Sequence, residues 1–121
     1  MNNVDILKQR IKDHEQEEEN RTICILELPF AVEESTVAEY FKRCDGGVRR
    51  LEITRSAALV FSSAYVEFNN HRGRRKALRI ASRFAEEYEV IIVTAEDFMD
   101  DRIPTRQECY EGPRMNGCFC M

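Results

Sequence analysis

At 121 residues the chain holds one domain with a sizeable core and leaves no room for a second independently stable one. Hydrophobic residues at 43% and charged residues at 33% describe a globular chain with a heavily charged surface, and no apolar run is long enough to span a bilayer or form the core of a signal peptide. The net charge of -4 is unevenly placed: residues 1–20 carry three basic and six acidic side chains, residues 21–95 twelve and ten, and residues 96–121 three and six. A mildly basic middle between acidic ends fits a domain with solvated tails, residues 96–121 being expected to be disordered. The expected compartment is the nucleus or the cytoplasm. Five cysteines, an odd number, then read as reduced thiols, with Cys24 and Cys44 as small core residues.

Val4, Leu7 and Ile11 recur at helical spacing, which predicts an amphipathic helix over residues 3–18 whose thin apolar stripe needs a partner surface. TICILEL then alternates β-branched and apolar residues and stops at Pro29, as a buried strand does. EESTVAEYFKRC sets Val37, Tyr40, Phe41 and Cys44 on one helical face, and the Gly46-Gly47 pair marks its end. VRRLEITR and LVFSSAYVEF read as two strands joined by a hairpin near residues 56–58. HRGRRKALRIASRFAEE is a second helix, apolar at Ala77, Ile80, Ala81 and Phe84 and basic elsewhere, and YEVIIVTA is the last strand. Beyond it, Thr94 is placed to cap a short turn through Phe98 and Met99 that folds back toward the sheet.

The order strand, helix, strand, strand, helix, strand predicts an α+β fold: a ferredoxin-like four-stranded antiparallel sheet with two helices on one face. Over residues 21–95, with its central-strand hexapeptide Ile23-Cys24-Ile25-Leu26-Glu27-Leu28 and octapeptide Phe61-Ser62-Ser63-Ala64-Tyr65-Val66-Glu67-Phe68, the chain resembles the RNA recognition motif (RRM) family. The resemblance implies that Ile23, Ile25, Ala64, Val66 and Phe68 face the helices. It also implies that Cys24, Ser63 and Tyr65 occupy the outward positions where family members stack unpaired bases on aromatic rings. Only Tyr65 of those three is aromatic. Phe61 stands where a basic residue is usual and Glu27 where an Asn is common, and the Asn-Gly turn often found before the last strand is replaced by Phe84-Ala85-Glu86-Glu87-Tyr88, which implies a tighter or fully helical connection.

On this reading the expected partner is single-stranded RNA. It would be met on the sheet by Tyr65, Arg50, Cys24 and Ser63, and by a basic cluster of Arg72, Arg74, Arg75 and Lys76 continued by Arg79 and Arg83, whose binding would be salt-dependent and blind to sequence. The alternative is a protein-interaction or homodimerisation module of the same fold. Neither reading calls for a cofactor or metal, and the chain has no phosphate-binding loop, nucleophile elbow or HExxH motif, so no enzyme is expected. The ending Cys118-Phe119-Cys120-Met121 matches the four-residue prenylation box at Cys118, the one route to a membrane that the sequence offers, although no basic run precedes it.

Overall fold

A computed structural model describes residues 7–9, 21–44, 46–55 and 61–111. The elements are β1 (Thr22–Pro29), α1 (Glu34–Phe41), β2 (Val48–Thr54), β3 (Phe61–Phe68), α2 (His71–Tyr88), β4 (Ile91–Thr94), α3 (Ala95–Met99) and α4 (Arg106–Glu111), preceded by a helical stretch at 7–9. The strands form one antiparallel sheet in the order β2-β3-β1-β4, the ferredoxin-like arrangement expected from the element order. The expected hairpin tip, most of the N-terminal helix and Cys118 lie outside the described residues.

One face of the sheet carries α1 and α2. Its core takes Ile23, Ile25, Ala64, Val66 and Phe68 from the central strands, as the alternation implied, and packs them against Val37, Phe41, Ala77, Ala81 and Phe84. Phe41 meets Phe68 edge to face at 5.9 Å and Phe84 at 5.6 Å, so one aromatic cluster clamps both helices to β3. The Gly46 and Gly47 backbones both have positive φ where the chain leaves α1, and a Cβ on Gly46 would sit 2.8 Å from the Asn70 side chain. Asn70 itself caps α2, its side chain accepting from the Gly73 N–H at 2.8 Å. At the other end α2 runs through Tyr88 and closes on Glu89 in the left-handed conformation, giving the glycine-free helical connection.

Strict alternation fails at one place in β1. The ladder to β3 slips between Ile25 and Leu28, and Glu27 there has φ 60°. The extra residue returns Leu28 to the helix-side core while Leu26 stays on the opposite face, although two residues apart they would share a side. A Glu in this conformation is strained. Its carboxylate is held by Arg106 of α4 at 2.5 Å.

Of the tail expected to be disordered over residues 96–121, residues 112–121 lie outside the described residues, and within 96–111 the chain forms α3 and α4, which both pack on the domain. Composition misled here because Asp100, Asp101, Glu108 and Glu111 stay exposed while apolar Ala95, Phe98 and Cys109 pack against the sheet.

Candidate nucleic-acid interface

The outward face of the sheet is not an open platform. Cys24, Leu26, Tyr65 and Val93 from three strands form a second core with Leu7, Ala95 and Phe98, and Ile91 and Met99 pack at its margin. Tyr65 is 1% exposed and Cys24 fully buried, and Ser63 is buried beside them. The three positions expected to meet RNA are thus brought together on one face, as predicted, but beneath the chain's own side chains. The reason lies in α3. Thr94 leaves β4 and accepts the Asp97 N–H at 3.2 Å, which turns the chain back at once and drops Phe98 onto the sheet. Lys8 then fastens the covering pieces together, with Nζ 2.7 Å from Asp101 and 5.8 Å from the centre of the Phe98 ring.

Burial leaves its mark on the thiol. With Glu96 near, desolvation pushes the Cys24 pKa far above its ordinary value, so Cys24 is a neutral apolar group here.

Arg50 is on the same side but engaged. Its guanidinium lies 3.8 Å from Glu67, a fully buried carboxylate that also accepts from Arg21 at 3.0 Å. The two arginines, half-buried themselves, balance a charge that would be prohibitive to bury alone.

The basic cluster divides in two. Arg74 points inward, bridging Glu96 at 2.5 Å and reaching the Thr22 carbonyl at 3.5 Å, so it braces α3 against the start of β1. The cluster's other arginines point out. Arg72, Arg75, Arg79 and Arg83 are exposed, and at about 100° per residue they fall within roughly a quarter-turn of one another along about 16 Å of α2. Lys76 joins them half-exposed. None of the five pairs with a carboxylate among the described residues. The result is a straight cationic stripe on the layer opposite the covered sheet face.

Beside the C-terminal end of the stripe, α1 and α2 leave an open groove of about 890 Å³ lined by Tyr40, Arg43, Phe84 and Tyr88. The three rings pack in series at tilted angles, Tyr40 to Phe84 at 5.1 Å and Phe84 to Tyr88 at 4.7 Å. The Tyr40 hydroxyl donates to the Ile80 carbonyl, and Arg43 lies over the Tyr40 ring at 4.8 Å. Burial raises the Tyr40 pKa and the neighbouring Arg43 charge offsets part of the rise. Burial likewise raises that of Tyr88.

Two further features escaped the sequence reading. Phe30 and Phe61 are exposed at one end of the sheet, and Arg55 stacks on Phe30 at 4.9 Å while donating to the Phe30 and Val32 carbonyls. Glu67 drew no attention in the sequence, and only its two partners, Arg21 just ahead of β1 and Arg50 on β2, reveal a buried charge. The covering of the sheet had a partial signal, the Thr94 cap followed by apolar Ala95 and Phe98.

No family model matches the chain, and no curated protein does. Among solved structures, the RRM3 domain of Mip6 is similar over 53% of this chain and 78% of that one, at 23% sequence identity and a TM-score of 0.44. What makes the fold RRM-like is the strand order and the two helices over one face, both present in this chain itself.

Proposed function

We propose that this chain is an RNA-binding module of RRM-like fold that meets single-stranded RNA through its phosphates on the α2 stripe, and not through bases stacked on the sheet. One contrast carries the reading: Tyr65 is sealed under Phe98 and Leu7, while Arg72, Arg75, Arg79 and Arg83 stand exposed in line. Binding of this kind is driven by counterion release and tolerates any sequence. It suits a component of a ribonucleoprotein complex in nucleus or cytoplasm, where another subunit supplies selectivity. Titration of the isotope-labelled chain with single-stranded RNA tests it. Amide shifts are expected along 72–83 and absent at Cys24, Ser63 and Tyr65, with an affinity that falls steeply with salt; shifts centred on Tyr65 overturn it.

A second reading has its own support in the open groove between α1 and α2, where the half-buried rings of Tyr40 and Tyr88 flank Phe84 and offer aromatic contact to a protein partner. On that reading the chain is a protein-interaction module. No RNA-induced shift below high-micromolar concentration, together with a stable protein complex lost on Tyr88→Ala, is its signature.

A further inference from the structure

The two edges of the sheet are treated differently. Along β4 lies α4, and the Cys109 thiol accepts from the Ile92 N–H at 3.3 Å and donates to the Ile92 carbonyl at 3.5 Å. Those backbone groups can no longer template another strand. The opposite edge is β2, and no described segment runs along it. None of its seven residues is buried, whereas all of β3 but Phe61 is. Leu51 and Ile53 pack against the helix-side core yet remain half-exposed, although their ladder partners Val66 and Ala64 are fully buried. An edge that shows both a strand backbone and incompletely covered apolar side chains is built to receive a strand.

We infer that β2 pairs antiparallel with β2 of a second copy of this chain, about a two-fold axis at Leu51. The charge pattern selects this occupant and this register. Around the axis the sequence reads Arg50-Leu51-Glu52. Antiparallel pairing sets Leu51 against its own copy on the helix side, and on the other side sets each Arg50 against the partner copy's glutamate at the same cross-strand position, two opposite-charge pairs in all. Moving the axis to Glu52 would oppose carboxylate to carboxylate, and moving it to Arg50 would oppose guanidinium to guanidinium. An odd shift would turn one copy's helices to the other face. The bulge between Val48 and Arg50 bends β2 just ahead of this point, so the regular ladder is confined to the neighbourhood of Leu51 and the association is reversible. The inference is independent of RNA binding, since the α2 stripe and the β2 edge share no residue.

Sedimentation over a wide concentration range is the first measurement, with the mass expected to rise toward twice that of the chain. Position is then read by oxidative cross-linking. In the proposed register the Cα atoms of the two copies at position 51 are about 5 Å apart, within disulfide reach, while those at position 53 are roughly 14 Å apart along the strand, which is beyond it. Leu51→Cys is therefore expected to form a dimer linked through position 51, identified by mass spectrometry, and Ile53→Cys is not, each variant first shown by its amide spectrum to keep the native fold. Charge gives a second readout in variants whose amide spectra show the native fold, a control that matters because Arg50 also faces buried Glu67: Glu52→Arg is expected to weaken dimerisation about tenfold, as is Arg50→Glu, and an equal mixture of the two variants to associate again. A chain monomeric at every concentration, equal cross-linking at 51 and 53, or a mixture no better than its components overturns the proposal.

Discussion

The two faces of the sheet are both buried, but by unequal means. On the helix side an eighteen-residue helix and a shorter one deliver Phe41, Phe84, Ala77 and Ala81 onto the central strands, and the rings interlock. On the other side the described cover is a five-residue helix and a single leucine from far upstream, joined by a Lys8 to Asp101 ion pair at the surface. Surface pairs contribute little, and a helix that short has no stability of its own. The helix-side core therefore holds the domain together, while the outer core is held to it and opens first.

Truncation on each side separates them. Phe84→Ala is expected to lower global stability by about 3 to 5 kcal/mol in denaturant unfolding. Phe98→Ala removes a ring of the same size but frees α3 to move, so a smaller loss of about 2 to 3 kcal/mol is expected, with much of the fold retained. Its distinguishing sign is chemical: Cys24, protected in the parent chain, becomes reactive to thiol reagents at neutral pH in Phe98→Ala and stays protected in any variant that leaves the cover closed. Equal Cys24 protection in both chains would show that the outer core does not depend on α3.

The arginines sharpen the same contrast in binding. Replacing Arg75 and Arg79 together by alanine is expected to lower the slope of log affinity against log salt by about 1.4 for single-stranded RNA, with the fold unchanged. Arg74→Ala is expected to do the reverse: a stability loss of about 1 kcal/mol from the broken Glu96 bridge, and little change in RNA affinity. Tyr65→Phe, which keeps the ring in its core, is expected to leave RNA affinity unaltered.

The smallest effect is on pH. Burial raises the thiol pKa of both Cys24 and Cys109 above that of the unfolded chain. The stabilisation this represents is complete at neutral pH and is lost as pH rises past the ordinary thiol value of about 8.5, where the unfolded state begins to ionise. Tyr40 and Tyr88 add the same sign past about pH 10. Unfolding midpoints are expected to decline above that first value, and Cys24→Ala to flatten the early part of the decline.

Most of the architecture was legible along the chain. TICILEL, VRRLEITR and SAYVEF alternate with the period of two, the two helices carry apolar faces at the period of 3.6, and Ile23, Ile25, Ala64, Val66 and Phe68 went where that alternation directs them. Spacing also set the α2 arginines off the helix's apolar face, without telling Arg74 from the rest. These properties are local: a side chain's direction on a strand or helix depends on its immediate neighbours in sequence.

What lies above an outward-facing residue is not local, and there only the tertiary structure decided. Alternation sends Tyr65 and Cys24 to the outer side, yet whether that side meets water, RNA or Phe98 depends on a residue more than thirty positions away and on the Thr94 cap that turns it back. Arg74 and Arg75 are neighbours of identical type. One braces α3 through Glu96 and the other faces solvent, because α2 lies with one side against the sheet. The bulge at Glu27 and the thiol that closes the β4 edge belong to the same class, since each depends on a contact with α4 that no pattern within a single segment encodes.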